Sequence, residues 1–427
     1  MSVAFTVFVL SFFVFLGIGV PIAFCMGIAS VAYLLLAETA NLTIVFSRMA
    51  SALQSYLYVA VAFFVLASNL MNTAGISARI FEFAGTLVGH VRGGLAQVNV
   101  LASVIFSGMS GTALGDAAGL GRIEIRAMVD AGYKPEFAAA VTIASAVIGP
   151  VIPPSMVMII YAELAEVSLA ALFLGGVIPG LIIGAILSLY IYVAAGRQGP
   201  PPSPRAAWRT RAVAFRRAFL PILSPVIVVG GIVGGYITPT EASIIAVAYA
   251  LVLAAVYRAA SWRELLGAVR ESALGTAMPL FVVTTALLFS WIVTVERVPY
   301  LLVDSLGGIV DNWIAVILVI NLLLLLMGMV LEGIGIMILV IPILKPIALA
   351  AGIDLVHLGV FMTINIMIGM ITPPIGLSLF VASDITGKPI TVLTKAIVPF
   401  LLPLIGALLL ISLVPELVTW LPGLLLR

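Results

Sequence analysis

Charged residues, cysteine and histidine are all scarce in this chain. Only 9% of its 427 residues are charged, against roughly a quarter in an average soluble domain, which excludes a soluble enzyme. The net charge of +2 provides no long-range field for binding nucleic acid. One cysteine and two histidines cannot form an intramolecular disulfide or the usual structural zinc site. The phosphate-binding pattern GxxxxGK[ST] is missing as well, so we expect no ATP hydrolysis by this chain.

Apolar residues, at 63% of the chain, form long uncharged runs instead. A membrane-spanning helix needs about 20 mostly apolar residues, and these runs predict an all-α polytopic membrane protein with about ten spanning helices. The first run is too long for one upright helix, and we expect two helices separated near Gly17, Gly19 and Pro21, since glycine permits a sharp turn and proline removes a helix hydrogen bond. The uncharged runs cover residues 3–37, 49–78, 93–115, 137–162, 167–196, 218–240, 242–257, 272–295, 312–331, 333–344, 355–383 and 396–415.

The sparse charges indicate the orientation of the chain. The connector 197–217 is rich in arginine and proline and contains no acid, so the positive-inside rule places it in the cytoplasm. Counting spans outward from it places 258–271 inside as well and 296–311 outside. The arginines of this connector are Arg197, Arg205, Arg209, Arg211, Arg216 and Arg217.

Two segments 220 residues apart resemble each other. The sequence IGPVIPP at 148–154 aligns with IGMITPP at 368–374, and the same spacing pairs Ala131 with Ala351. The first copy begins with a helix that enters the cytoplasm and the second with one that leaves it, so we expect an inverted repeat of the kind found in transporters.

Each copy is predicted to contain a re-entrant hairpin followed by a helix broken at its Pro-Pro pair. The hairpins are expected at 93–130 and 312–350, and the broken helices at 137–165 and 355–385. The predicted units are an N-terminal helical pair of the scaffold (1–48), repeat one (49–196), an Arg/Pro-rich cytoplasmic loop (197–217), scaffold helices (218–275) and repeat two (276–427).

The broken helices favour an ion site. Irregular backbone inside a membrane leaves polar groups unpaired, and it persists only where protein, water or a ligand satisfies them. Half-helix carbonyls suit Na⁺, and half-helix N-termini suit an anionic group. Ser145 and Asn365 occupy equivalent positions just before the two breaks. A single Gly/Pro break is otherwise explained as a kink, and hydroxyl side chains often bond to their own helix.

Glu332, at the second predicted hairpin tip, is an acidic residue that lies outside the predicted surface loops. Intramembrane carboxylates are functional candidates because burying them is costly; the alternative is a protonated or tip-capping carboxyl. Asp116 and His357 lie nearer hairpin or helix ends, and we expect them to be structural.

Six motifs in order resemble the large membrane subunit of the tripartite ATP-independent periplasmic (TRAP) transporters, and the resemblance covers nearly the whole chain. The chain departs from the family's usual sequence in two places. Thr112 replaces the usual serine in the segment 110–112, and the third helix lacks the usual proline and late acid around Val59 and Asn69. The motifs are GVPIAF at 19–24, GGLAQVNVLAS at 93–103, SGTALGDAA at 110–118, IGPVIPPS at 148–155, TPTEA at 238–242 and GMITPPIG at 369–376.

This resemblance implies a non-enzymatic secondary transporter in a bacterial or archaeal inner membrane. It implies inward transport of small carboxylated solutes with Na⁺ by an elevator motion, with no cofactor besides the coupling ion. It also implies two partners, a small four-helix membrane subunit and a periplasmic binding protein. The rival hypotheses are a stand-alone carboxylate or ion symporter, an intramembrane enzyme, for which no His/Asp/Glu cluster is evident, and a structural anchor. The sequence does not specify which acid is carried.

The resemblance also implies the site residues, at the two hairpin tips and the two breaks. The expected substrate-binding residues are Ser110, Gly111, Thr112, Ser145, Pro154, Ser155, Glu332, Gly333, Asn365 and Pro374. The expected Na⁺ positions are Gly108, Ser110, Gly149, Pro150, Pro153, Glu332, Gly333, Gly369, Thr372 and Pro373.

Overall fold

The computed structural model describes residues 2–37, 43–110, 119–194 and 199–426, in which all regular secondary structure is helical. Seven of the described helices are long and apolar enough to cross a membrane, and shorter apolar helices accompany them. An all-helical membrane protein is therefore confirmed, whereas the number of spans stays a prediction. The helices are α1 (Val3–Gly17), α2 (Ile22–Leu36), α3 (Thr43–Ala52), α4 (Tyr56–Thr73), α5 (Ile76–Val88), α6 (Leu95–Ser110), α7 (Leu120–Asp130), α8 (Pro135–Ser145), α9 (Met156–Ala165), α10 (Leu169–Ala194), α11 (Trp208–Val233), α12 (Pro239–Tyr257), α13 (Trp262–Val295), α14 (Val298–Leu306), α15 (Trp313–Gly328), α16 (Gly333–Ala350), α17 (Leu355–Ile371), α18 (Leu377–Thr386), α19 (Ile390–Leu413) and α20 (Glu416–Leu425).

The first apolar run forms two helices, as its Gly/Pro segment predicts. Helix α1 ends at Gly17, and α2 begins at Ile22, directly after Pro21. Gly19 has a φ of +86°, a conformation that a residue with a Cβ rarely adopts. The two helices pack against each other, so the chain reverses at this turn.

The order of helices recurs along the chain. Helices α4 to α10 are followed, after α11 and α12, by the matching series α13 to α19. Helix α7 ends at Asp130 and α16 at Ala350, while α8 begins at Pro135 and α17 at Leu355. These pairs lie 220 residues apart, which is the spacing of the sequence repeat. The inversion of the copies and the re-entrant character of the hairpins stay predictions.

Packing divides most of the helices into two groups. Helix α4 packs against α12 and α13, and α2 packs against α1 and α13; we call these five helices the frame. The second group contains the hairpins and the broken helices, with α6 and α7 on α8, α15 on α17, α8 on α19 and α9 on α16. Within it, α9 also contacts α17 and α18 contacts α8. Each short half-helix therefore packs against the broken helix of the other repeat.

Three boundaries differ from the sequence prediction. The loop expected at 197–217 ends early, because α11 begins at Trp208 and carries Arg209 to Arg217 in its first turns. Helix α13 begins at Trp262 rather than after the charged segment 258–271, because Ser261 and Glu264 form a reciprocal capping box. Helix α20 follows the last uncharged run. Charged residues lie in the first turns of all three helices, because arginine and glutamate are good helix formers.

Candidate ion and substrate site

The first broken helix is interrupted at 149–155, which we call break one. Helix α8 ends at Ser145, one 3₁₀ turn covers 146–148, and α9 begins at Met156. The Ser155 hydroxyl accepts a hydrogen bond from the Met158 amide at 3.3 Å and thus caps α9. The predicted site residues Gly149, Pro150, Pro153, Pro154 and Ser155 are all buried, and a cis peptide joins the two prolines.

The second broken helix is interrupted at 372–376, which we call break two. The Thr372 hydroxyl donates to the Ile368 carbonyl at 2.6 Å, so this predicted Na⁺ position bonds back to its own helix. Pro373 is half-buried, Pro374 is exposed, and their peptide is also cis. Gly376, with a φ of +52°, precedes α18 and provides no side-chain cap. Both chain segments are interrupted at their Pro-Pro pairs, but the two interruptions differ in exposure and capping.

The second hairpin turns at 329–332, between α15 and α16. Glu332 is the N-cap of α16, and its Oε2 accepts a hydrogen bond from the Gly335 amide at 3.2 Å. The capping alternative considered for this acid is therefore what the geometry shows. Gly333 is buried, and a Cβ added to it would lie 2.9 Å from the Met367 methyl carbon. The tip thus packs against α17, just before break two.

Each hairpin lies against the break of its own repeat. The Gly376 amide of break two donates to the Met329 carbonyl of the second tip at 3.2 Å. In repeat one, a Cβ added to Gly108 of α6 would lie 3.4 Å from the Pro153 carbonyl oxygen. Ser110 is the last residue of α6, and its side chain lies outside the described part of the structure. The predicted site residues Gly111 and Thr112, together with Asp116, lie outside the described residues.

A buried polar network joins the first hairpin to the first broken helix. Ser145 of α8 lies 2.7 Å from Oδ1 of Asn99 on α6 and accepts a hydrogen bond from Ser103 at 3.0 Å. The Asn99 amide donates to the Thr142 hydroxyl at 2.7 Å. All four side chains are buried. Ser145 therefore holds α6 to α8, a role that its spacing alone did not reveal.

The second repeat contains a matching contact between amide side chains. Nδ2 of Asn365 on α17 donates to Oδ1 of Asn321 on α15 at 2.8 Å and to its carbonyl oxygen at 2.9 Å. The Asn321 amide donates in turn to Ser412 at 3.0 Å. Oδ1 of Asn365 is buried and has no hydrogen-bond partner among the described residues. This unpaired acceptor lies about two turns of α17 before break two.

Asn99 and Asn321 were missed by the sequence reasoning. The available signal was an amide inside an uncharged run, since buried amides in membrane helices hydrogen-bond to neighbouring helices.

Two further predicted residues have packing or structural roles. A Cβ at Gly369 would lie 2.6 Å from the Gly328 Cα, so the glycine permits close approach of α17 and α15. His357, expected to be structural, is bonded through Nε2 to the Ile411 carbonyl at 3.1 Å.

Two ion pairs connect the return limbs of the hairpins to the opposite repeat. Lys345 of α16 lies 2.8 Å from Glu166, which follows α9, and Arg122 of α7 lies 3.7 Å from Asp384 of α18. The hydrogen bond and charge of Lys345 lower the pKa of Glu166 below its ordinary value. Each pair joins a hairpin to the end of the other repeat's half-helix, the same cross-repeat arrangement as the helix packing.

Two solved transporter structures share this fold. The Alcanivorax borkumensis YdaH transporter superposes with a TM-score of 0.61 at 14% identity, covering 87% of each chain. The Neisseria gonorrhoeae protein MtrF superposes with a TM-score of 0.66 at 11% identity, covering 96% of this chain and 94% of that one. The chain therefore shares the fold of these two membrane proteins.

The particular family follows from the sequence match. Residues 9–417 match the family described as "Tripartite ATP-independent periplasmic transporter, DctM component", and the chain belongs to it. It is 41% identical to the sialic acid TRAP transporter large permease protein SiaM of Vibrio cholerae, over 96% of each chain. It is 36% identical to the C4-dicarboxylate large permease protein DctM of that species, over 96% of this chain and 95% of the relative.

A third relative is longer than this chain. The sialic acid permease protein SiaT of Haemophilus influenzae is 38% identical over 96% of this chain but only 67% of its own length. Together these matches define a large TRAP permease, a multi-pass protein of the bacterial inner membrane that transports a solute rather than catalysing a reaction.

Proposed function

We propose that this subunit imports small carboxylated solutes together with Na⁺. The observation that carries the proposal is the placement of each hairpin against a helix break of its own repeat, through Met329 and Gly376 in repeat two and through Gly108 and Pro153 in repeat one. This arrangement concentrates helix ends and irregular backbone within the membrane. Such backbone groups suit ion and carboxylate ligands.

Na⁺ is proposed to bind at the two breaks. The C-terminal ends of α8 and α17 direct their carbonyl dipoles toward breaks one and two, respectively. We expect backbone oxygens of 149–153 and 369–373 to provide most of the ligands. Glu332 contributes by capping α16, which holds the second tip in place, and Oδ1 of Asn365 adds an unpaired oxygen acceptor nearby.

The substrate carboxylate is proposed to bind between the tips on the side of break two. There Pro374 is exposed, and the N-terminus of α18 has no side-chain cap. A helix N-terminus attracts negative charge because its amides and dipole point outward. Relatives named for sialic acid and C4-dicarboxylates support a carboxylated solute without selecting one acid.

The transport motion is proposed to be an elevator in which hairpins and broken helices move against the frame. The frame helices pack mainly with one another, whereas α6, α9 and α16 of the second group meet them through α4 and α13. The ion pairs and buried networks above connect the hairpins to the broken helices within the second group. A group joined in this way is suited to move as one unit.

We propose a periplasmic binding protein and a small membrane subunit of four helices as partners. The family description names a tripartite periplasmic system, and SiaT has one third of its length beyond the region matched here, which leaves room for a fused small subunit. The rival is a symporter that acts alone. Uptake into liposomes by this chain with both partners, but not by this chain alone, is the expected result; equal uptake by the chain alone favours the rival.

A further inference from the structure

The two helix breaks differ in how they are covered. Every residue of break one is buried except Ile152, which is half-buried. In break two, Pro374 is exposed and Ile375 is 36% exposed. Two inverted copies that perform identical roles are expected to be equally exposed to solvent at their breaks. A contact that is present in repeat one and missing from repeat two would explain the difference.

Helix α10 provides that contact through two glycines one helical turn apart. A Cβ added to Gly176 would lie well under 3.0 Å from the backbone oxygen of Val151. A Cβ added to Gly180 would lie well under 3.0 Å from the Ile152 side chain. Real Cβ atoms essentially never come so close. Break one is thus seated directly on the glycine face of α10.

The matching helix of repeat two has no such face. The repeat spacing of 220 residues pairs Pro179 of α10 with Pro399 of α19, and it places Ala396 and Phe400 at the positions of the two glycines. Ala396 is half-buried, and the bulky Phe400 is buried. Because neither position is a glycine, a backbone cannot approach α19 there as closely as break one approaches α10.

We infer that Gly176 and Gly180 are positioning residues that hold break one in its ion-binding shape. They fix the positions of the Val151 carbonyl and the Ile152 side chain. The positions of the neighbouring carbonyls are thereby fixed as well. Break one then stays assembled during transport, while break two, which lacks the seat, is the one that opens to solvent. This inference rests on the proposed function, since it assigns different roles to the two proposed Na⁺ positions.

Ion sites tolerate displacements of only about 0.5 Å, whereas an alanine at either glycine forces a larger shift. We therefore expect Gly176→Ala to raise the Na⁺ concentration for half-maximal uptake at least tenfold. Gly406→Ala is the matched control, because Gly406 lies in α19 and a Cβ there meets nothing within 4 Å. Its Na⁺ requirement should stay within twofold of the wild type.

A compensating pair separates positioning from general damage. At Gly180 the obstruction is the Ile152 side chain, so Ile152→Ala should restore the Na⁺ requirement of Gly180→Ala to within threefold of Ile152→Ala alone. At Gly176 the obstruction is a backbone oxygen, and Ile152→Ala should give no rescue. An unchanged Na⁺ requirement in both glycine variants overturns the inference, as does equal rescue of both.

Hydrogen exchange at break one tests, independently of Na⁺, whether the glycines of α10 hold this break in place. In the wild type, the amides of Val151 and Ile152 should exchange at least tenfold more slowly than that of Gly376, and Gly176→Ala should remove most of this protection. If the exchange rates of these amides are unchanged in a folded Gly176→Ala protein, the glycines of α10 do not hold break one in place. If Gly176→Ala does not fold, Gly180→Ala is measured in the same way. If wild-type uptake is independent of Na⁺, the proposed function fails instead, whatever the exchange shows.

Discussion

The amide of Gly376 donates a hydrogen bond to the carbonyl of Met329 at 3.2 Å, which ties the second hairpin tip to the second helix break. The two residues lie in separate apolar segments, and glycine is required at the donor because its φ is +52°. A shift of either segment changes the position of the other. A ligand bound between them, as proposed above, would contact both segments.

The buried network around Asn99 is expected to be needed for stability and transport. Asn99→Ala leaves the Thr142 hydroxyl without its amide donor, whereas Ser145 keeps its hydrogen bonds to Ser103 and to the Thr142 carbonyl. One unsatisfied buried group costs about 1–3 kcal/mol. We expect a lower melting temperature in detergent and reduced maximal uptake. Ser51→Ala is the control, because the Ser51 hydroxyl is exposed and bonds only to its own helix. Equal melting of both variants would show that the network is unimportant.

Glu332 is expected to act as a cap rather than through its charge. Glu332→Gln retains a side-chain oxygen for the Gly335 amide, so uptake and its Na⁺ requirement should stay within about threefold of the wild type. Glu332→Ala removes the cap, at a cost of about 0.5–2 kcal/mol, and should reduce uptake strongly. If Glu332→Gln loses transport as completely as Glu332→Ala, the carboxylate charge itself is required.

The pair of Lys345 and Glu166 predicts a defined pH dependence. Lys345 lowers the pKa of Glu166 in the folded protein, so the stabilisation is complete above the ordinary glutamate pKa of about 4.3 and is lost as pH falls through the lowered folded value. Because Glu166 is largely exposed, we expect less than about 1 kcal/mol. The difference in unfolding free energy between wild type and Glu166→Gln should be constant near neutral pH and vanish in acid. A difference that grows on acidification contradicts this assignment.

Cysteine labelling tests the unequal exposure of the two breaks. Cys25 is the one native cysteine and is buried, so Cys25→Ser gives a suitable background. We expect Ile375→Cys to react readily with a water-soluble maleimide and Val151→Cys to react at least tenfold more slowly. Na⁺ and substrate together should slow the reaction at 375. Equal labelling at both positions would contradict the unequal cover of the breaks.

The sequence was most informative where one local feature determines the structure. Pro21 and the two Pro-Pro pairs at 153–154 and 373–374 each predict an interruption, because proline removes a helix hydrogen bond and a nearby glycine or second proline adds to the disruption. All three interruptions are present, whereas single prolines such as Pro179 and Pro279 lie inside helices. Charge was less reliable: the starts of α11 and α13 were misplaced because arginine and glutamate occupy their first turns.

Contacts between distant segments could not be predicted from the sequence. The pairing of Asn99 with Thr142 depends on how α6 lies against α8, and the seat at Gly176 depends on how α10 lies against break one. An isolated asparagine or glycine in an apolar run indicates only that some partner is close. The difference between the two breaks arises from such contacts, so the repeat in the sequence suggested a symmetry that the structure only partly shows.

The central claim is that a Na⁺ gradient drives import through this subunit. The most direct measurement uses liposomes that contain this chain and its small subunit, with the periplasmic binding protein in the external solution. It records uptake of a labelled carboxylic acid that this binding protein binds. An inward Na⁺ gradient without a proton gradient should drive accumulation above the external concentration. An inward proton gradient without Na⁺ should not. Accumulation under the proton gradient alone would contradict the account.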